Sequence, residues 1–412
     1  MSEKKAPELR FKGFTGDWEQ RKLVELSESF EYGLNASAIA YDGENKYLRI
    51  TDIDDASRKL IQNKLTSPEY DLKKADNYLL QHGDILFTRT GASVGKTYRY
   101  DEKDGKVYYA GFLIRARIKS TYNPEFIFQN TLTSKFKNFI RITSQRSGQP
   151  GINANEYGSF EIFVPNKEEQ SRVASLFKHL DDTIALHQEK LEKLKQLKRA
   201  YLQVIFPQKG ERTPRLRFAD FSSDWKQRKL KEVIERVRGN DGRMNLPTLT
   251  ISASSGWLDQ RERFSGNIAG NEQKNYTLLA KGELSYNHGN SKLAKYGVVF
   301  SLRTHKEALV PRVYHSFKTN DKASSDFIEY MFATKNPDRE LGKLVSSGAR
   351  MDGLLNINYE DFSNINIYIP KIEDQNKIAD FLRQFDNNIF LHQTKISALQ
   401  EIKKVYLRQM LA

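Results

Sequence analysis

The chain carries the same long segment twice. Pro7–Leu26 returns as Pro214–Val233 at an offset of 207 residues, and twelve of the twenty positions are identical. A second block, VPNKEEQSRVASLF at Val164–Phe177, returns as IPKIEDQNKIADFL at Ile369–Leu382, at an offset of 205. Both offsets are close to half of the 412 residues. This is the duplication of one large unit, because a solenoid would repeat every 20–50 residues or so. Two related halves on one chain predict a pseudo-two-fold arrangement. Each half, at about 205 residues, is long enough to bury a core of its own.

Composition narrows the function classes. Hydrophobic residues make up 38% and charged residues 29%, as in an ordinary soluble protein. No stretch approaches the ~18 consecutive apolar residues of a membrane span. The start, MSEKKAPELRF, has charge but no apolar core, so it does not read as a signal peptide. Cysteine is absent, which excludes disulfides and thiolate metal sites and is compatible with a reducing cytoplasm. The net charge of +14 suits a polyanionic partner. The segments 166–206 and 371–412 each carry a net +2, leaving +10 elsewhere. The surface that meets a polyanion is therefore expected outside those two segments.

Those two segments read as long helices. Val173, Phe177, Leu180, Ile184, His187, Leu191, Leu194, Lys198, Tyr201 and Ile205 follow one another in alternating steps of four and three. Ile378, Leu382, Phe385, Ile389, His392, Ile396, Leu399, Lys403, Tyr406 and Met410 do the same. That is a heptad seam, the signature of a coiled coil. Neither run contains Gly or Pro. Pro165 and Pro370 precede the helices, and Pro207 with Gly210 closes the first. At 1.5 Å per residue, residues 170–205 would span about 54 Å. A pseudo-dyad between the halves predicts that the helices pair antiparallel. His187 and His392 occupy equivalent seam positions. A metal pair is one reading and a polar, register-setting contact is the other, favoured because no third ligand is near in sequence.

Between the repeated blocks lie two unlike stretches, roughly 27–163 and 234–368. Strands are expected at Asp84–Thr88, Val107–Ala110, Gly297–Ser301 and Ile365–Ile369, and helices at Pro124–Ser134 and Ser325–Thr334. Gly83–Phe87 faintly matches Gly282–Tyr286, and Ser147-Gly148 with Ile152-Asn153 matches Ser347-Gly348 with Ile357-Asn358. One α+β fold therefore carries two different surfaces. The expected division is a first recognition domain at 1–165, a long helix at 166–206, a second recognition domain at 207–370 and a second long helix at 371–412.

The repeated LRFxxF…DW…RKL segment, the PxxxEQ and PxxxDQ helix starts and the order domain, helix, domain, helix resemble the specificity subunits of type I restriction-modification enzymes, along the whole chain. The resemblance implies two mixed α/β target-recognition domains in pseudo-two-fold arrangement, separated by an antiparallel coiled coil of the two long helices. It implies that each domain reads one half of an asymmetric, bipartite site in double-stranded DNA, and that the coiled coil sets the unread spacer. The partners implied are two modification (adenine methyltransferase) subunits and two restriction (ATP-dependent motor-nuclease) subunits. S-adenosylmethionine would then belong to the modification subunit, ATP and Mg to the restriction subunit, and no cofactor or metal to this chain. A stand-alone regulator with two unlike DNA readers is the competing hypothesis. A methyltransferase that copurifies separates the two.

The chain shows no catalytic pattern of its own. Gly91-Ala-Ser-Val-Gly95-Lys96-Thr97 has three residues between its glycines where a P-loop has four. The Tyr98-Arg99-Tyr100 that follows reads as strand or loop, not helix. Two readings of this segment stand: a loop whose backbone approaches phosphates with Lys96 adding charge, or a plain hairpin turn. Asn123-Pro124 is followed by Glu125, and Asn336-Pro337 by Asp338, so neither makes an amino-methyltransferase motif.

Arg suits guanine edges in the major groove, and Asn or Gln suits adenine edges. The expected DNA contacts in the first domain are Arg89, Thr90, Ser93 and Lys96 in one loop, and Arg146, Gln149, Asn153 and Asn155 in another. In the second domain they are Asn287, His288, Asn290, Ser291 and Lys292, then Arg350, Asn356 and Asn358. Trp18 and Trp225, in the repeated segment, are expected to pack into the domain base rather than to meet a partner.

Overall fold

The computed structural model of the chain describes residues 6–411 apart from 209, 220, 222–223, 265–269, 290 and 346–353. The chain divides into two compact units, residues 1–190 with 392–412, and residues 191–391. The division falls within the long helices rather than at their ends.

The first unit is built on β1 (Glu19–Lys22), β2 (Ser27–Tyr32), β3 (Asp84–Thr88), β4 (Thr97–Arg99), β5 (Leu113–Ile118) and β6 (Glu161–Val164). Four of these form an antiparallel sheet in the order β2-β5-β3-β4. All five residues of β3 are buried, which is why it reads as a continuous apolar run rather than as an alternation. The pleat still sorts its side chains. Ile85 and Phe87 join a cluster with Phe126, Phe136 and Tyr157, whereas Leu86 joins Leu48, Tyr98 and Tyr109 on the other face. β1 and β6 pair separately, from Glu19 opposite Val164 to Lys22 opposite Glu161.

The second unit repeats this plan with other residues. Its strands are β7 (Lys226–Lys229), β8 (Ile234–Arg236), β9 (Leu284–Asn287), β10 (Val298–Ser301), β11 (His315–Thr319) and β12 (Asn366–Ile369). The sheet order is β8-β11-β9-β10, and β7 pairs with β12 from Lys226 opposite Ile369. The faint match of Gly83–Phe87 to Gly282–Tyr286 thus falls on the equivalent sheet strands β3 and β9. The helix expected at Pro124–Ser134 is two, Pro124–Asn130 and Ser134–Thr143. Asn123 caps the first, with Pro124 at its first position. The Thr133 hydroxyl accepts from Phe136 N at 3.3 Å and starts the second.

The long helices are α1 (Lys167–Ile205) and α2 (Ile372–Met410). Every seam position predicted from the heptads is buried or half-buried, including Ile184, His187, Leu191, Leu194, Ile389, His392, Ile396 and Leu399. In the first unit Asp181 meets Lys403 at 2.6 Å, and His187 Nδ1 meets His392 Nδ1 at 2.8 Å. In the second, Lys198 pairs with Asp386, and the Tyr201 ring lies 5.0 Å from Phe381 and 5.4 Å from Phe385. In each unit partners ascend one helix as they descend the other, so the pairing is antiparallel. The two seam lysines sit among apolar side chains because the facing helix supplies an aspartate to each. Among the described residues no cluster of three or more His, Asp or Glu could hold a metal. The histidine pair is a polar contact in the seam, alongside the two lysine–aspartate pairs.

Each helix is fastened to its domain by the repeated Gln of its first turn. The Gln170 side chain donates to Pro165 O at 2.8 Å and accepts from Asn123 N at 2.9 Å. The Gln375 side chain donates to Pro370 O at 3.0 Å and accepts from Ser324 N at 3.0 Å. Both glutamines are buried. Beside the first, Arg10 forks onto buried Glu169 at 2.6 and 2.7 Å. Trp18 and Trp225 are buried as expected, edge-on to Phe126 at 5.7 Å and to Phe206 at 5.7 Å.

The far end of each helix completes a core. Ile205 and Phe206 fill the second unit. Met410 and Leu411 take the same role in the first, and Leu9 N donates to Gln409 O at 3.0 Å as Leu216 N does to Val204 O at 2.9 Å.

Replacing Gln170 by Leu leaves the Asn123 N–H and the Pro165 carbonyl without partners. We expect it to lower the stability of the first unit by about 1–3 kcal/mol, read as faster local amide exchange there and unchanged exchange in the second unit. The His187 pair adds a pH dependence. Loss of water lowers the His187 pKa first, and His392, Lys395 and Lys190 add to the shift. A base with a lowered folded pKa contributes stability above its unfolded value, about 6.5. That stability is lost as the pH falls through the folded pKa. The unfolding midpoint should therefore drop on acidification below about pH 6.5, and the H187L/H392L double variant should show a flatter profile.

Candidate nucleic-acid interface

The two loops expected to meet DNA in the first domain form one surface. β3 runs into Arg89–Lys96, and the chain returns through β4. Ile152 N donates to Arg89 O at 2.9 Å, and Gly91 N donates to Pro150 O at 3.0 Å. Thr90 and Gly151 make an isolated antiparallel bridge. The residues 146–155 are thereby stitched to the tip of the β3–β4 hairpin. Beneath the tip, buried Tyr157 donates to Thr88 O at 2.7 Å and accepts from Gly95 N at 3.1 Å.

The second unit uses the same stitch. Leu355 N donates to His288 O at 2.9 Å, and Gly289 bridges to Leu354. Each hairpin then closes on a left-handed glycine. Gly95 has φ +82°, and a Cβ there would lie 2.7 Å from Ile140 Cγ2. Gly297 has φ +83°, and a Cβ there would lie 2.4 Å from Asn287 O. A side chain at either position would be both strained and obstructed.

Among the expected contact residues, several point outward. Gln149, Asn155, Ser291, Lys292 and Asn356 are exposed, and Arg89, Thr90, Ser93 and Asn287 are half-buried. The Arg89 guanidinium lies 4.8 Å over the Tyr32 ring, a stacking that fixes its plane while leaving donors outward. Asn287 is braced within its loop, donating to Ile251 O at 3.2 Å and accepting from Gly289 N at 3.1 Å. Arg146 reaches Glu156 at 2.5 Å and Thr143 O at 2.9 Å, so it meets a base only by leaving an exposed ion pair.

Four others have internal partners that define different roles. Lys96 is buried, with its ammonium 2.6 Å from Asp55 and 3.1 Å from Ile53 O. A buried ammonium needs such partners, and these anchor the hairpin to residues 53–55. With Thr97–Arg99 a strand, the segment is a hairpin and not a nucleotide loop. His288 is buried with Nδ1 2.7 Å from Leu355 O and Nε2 2.9 Å from Val313 O, leaving no ring nitrogen for a base. Asn153 and Asn358 cap short helices, accepting from Glu156 N at 2.9 Å and Asp361 N at 2.8 Å. Asn290 and Arg350 lie outside the described residues.

Sequence reasoning missed the aromatic partners. Tyr32 ends β2, and its hydroxyl accepts from Ala154 N at 3.2 Å. In the second unit Arg236 lies 4.1 Å over Tyr359. It also missed His315, stacked on His288 at 4.9 Å and hydrogen-bonded to Ile357 O at 2.8 Å. Burial pushes the His315 pKa down to about 4, although the Ile357 carbonyl opposes the shift.

Comparison with known proteins agrees with this organisation. The family model for the type I restriction modification DNA specificity domain matches residues 15–196 and again 222–401. A protein described as the type I restriction enzyme MjaX specificity subunit of Methanocaldococcus jannaschii is 24% identical over 406 residues, covering 94% of this chain and 91% of that one. The type I restriction enzyme HindI specificity subunit of Haemophilus influenzae is 22% identical over 193 residues, 46% of this chain and 41% of that one. The fold matches the crystal structure of a type I restriction-modification S subunit from M. genitalium, with a TM-score of 0.64, 12% identity and 99% of both chains covered.

Substitutions separate outward-facing residues from internal braces. Asn153→Ala should cost about 1 kcal/mol through loss of the cap and leave sequence preference unchanged. Arg89→Ala should relax preference at one base position at a cost of about 1–3 kcal/mol. Binding to a panel of single-base-substituted duplexes, with thermal unfolding alongside, distinguishes the two effects.

Proposed function

From the premise that the chain belongs to the type I restriction-modification DNA specificity family, we propose that it is the sequence-reading subunit of a type I restriction-modification complex. Each unit reads one half of an asymmetric, bipartite site in double-stranded DNA. The carrying observation is one scaffold built twice, with unlike residues on equivalent stitched loops. A shared scaffold delivers both loops in the same way, and unlike loop residues read unlike bases. Arg89, Gln149, Asn155, Ser291, Lys292 and Asn356 are the proposed outward-facing contacts, with Asn287 bracing its loop.

The paired helices set the number of unread base pairs between the half-sites. They also serve as the scaffold for two modification subunits and two restriction subunits. In favour of two like partners, apolar side chains on the helices recur at equivalent positions. Leu186 and Leu391 are each 48% exposed, and Leu197 and Ile402 are 48% and 42% exposed. Exposed Leu and Ile at matching places in a repeat suit docking of the same partner twice. The chain performs no chemistry alone in this reading. Adenine methylation uses S-adenosylmethionine on the modification subunit, and cleavage uses ATP and Mg on the restriction subunit. The complex works in the cytoplasm.

Methylome sequencing tests the proposal directly. An otherwise unmethylated host expressing this chain with its modification subunit should acquire one asymmetric, bipartite adenine-methylated motif, absent without this chain. If both proteins are soluble and associated and no motif appears, the reading fails. If they do not associate and the chain still binds duplex DNA, the stand-alone regulator takes its place.

A further inference from the structure

The first unit holds a concave groove of about 940 Å³, walled by residues 55–59, the Ser93–Lys96 end of the reading hairpin, the Ser134–Thr143 helix and both long helices. Eight of its charged lining residues are Lys or Arg, and two are Asp. Both acids are already engaged, Asp55 with Lys96 at 2.6 Å and Asp181 with Lys403 at 2.6 Å. Of the remaining cations Lys59 lies 3.9 Å from Asp182 and Lys404 lies 3.4 Å from Glu401, both exposed pairs, and the lining keeps an excess of positive charge.

Arg58 is the most informative of them. Its backbone is left-handed, with φ 57°, a conformation that costs a non-glycine residue of this size. The turn enforces it. The Asp54 carboxylate accepts from Ala56 N at 3.2 Å and from Ser57 N and Oγ at 2.7 Å each, while Arg58 N donates to Asp54 O at 3.0 Å. Burial lowers the guanidinium pKa, and Asp55 and Asp54 partly oppose the shift. Among the described residues the side chains of Arg58, Lys137 and Arg408 are neither hydrogen-bonded nor ion-paired. A half-buried guanidinium on a strained backbone, near Asp54 and Asp55 but hydrogen-bonded to neither, is arranged for an anion from outside.

We infer that this groove carries the phosphate backbone of duplex DNA running on from the reading loops, with Arg58, Lys137, Lys404 and Arg408 as phosphate contacts. The inference rests on the DNA-reading proposal and extends it. Ser93, Gly95 and Lys96 belong to both the hairpin and the groove wall, so a duplex lying on the hairpin carries its backbone across this surface. The aromatic residues of the lining, Phe128 and Phe136, are buried, so no ring is offered for an unpaired base to stack on. Phosphate contact at these positions is blind to sequence. It also gives α2 a share of the polyanion surface, whereas the charge count points to the residues outside the two helical segments.

The test measures salt dependence on the full chain with its modification subunit. One duplex carries the site found by methylome sequencing, and another carries the same bases scrambled. Arg58→Gly removes the guanidinium and relieves the left-handed backbone. It should weaken both duplexes alike, make the log affinity against log salt slope shallower by about one, and leave the melting temperature undiminished. The K137A/K404A/R408A variant should make it shallower by roughly three. Unchanged slopes in both variants overturn the inference. So does normal DNA binding with loss of the copurifying protein, which would assign the groove to an acidic protein segment. If the parent complex does not distinguish the two duplexes but the variants still lose slope, the groove stands and the sequence-reading proposal falls. If the parent binds neither duplex, both fall.

Discussion

Everything in each unit depends on a buried amide that cannot be left unsatisfied. Gln170 and Gln375 each bond at once to the proline carbonyl before the long helix and to the backbone N–H that starts a helix of the domain. A buried amide with all partners in place is rigid, because any displacement strands polar groups away from water. The direction in which the long helix leaves the domain is thereby fixed. Further along, Asp181 ties the seam lysine Lys403 to Gln129, and Asp386 ties Lys198 to Tyr330. These two levels of polar contact align each helix pair with the sheet that presents the stitched loops.

The helices and the duplication were legible in the sequence because their determinants are local or periodic. A heptad seam survives in any surroundings, so His187 and Lys198 could be placed in it before their partners were known. The buried strand Asp84–Thr88 was also plain, since a continuous apolar run bounded by Gly83 and a hairpin has few other uses. The parallel pairing of Lys46–Leu48 with Val107–Tyr109 was not, because three-residue strands carry little pattern.

The loops were harder for a specific reason. Their residue types suit DNA, but whether a side chain is available depends on atoms distant in sequence. Lys96 is held by Ile53 O, 43 residues earlier, and His288 by Leu355 O, 67 residues later. Nothing near either residue signals these partners. Asn153 and Asn358 were different. Each stands three residues before an acidic residue, Glu156 or Asp361, at the start of a short helix, and the capping pattern was readable there. Arg58 was overlooked because a left-handed arginine has no sequence signature. The turn enforces it, through the bonds Asp54 makes to Ala56 and Ser57.

The packing of Met410 and Leu411 into the first unit has a consequence for how the protein is made. A ribosome delivers residues 6–190 of that unit first, yet residues 392–411, which finish its core, follow only after the whole second unit. At about 5–20 residues per second, the early part waits roughly 10–40 s. The second unit meets no such delay, since Ile205 and Phe206 precede most of it and its remaining residues follow in one run. The half synthesised first is thus completed after the other, and through that interval its core lacks the side chains of Met410 and Leu411.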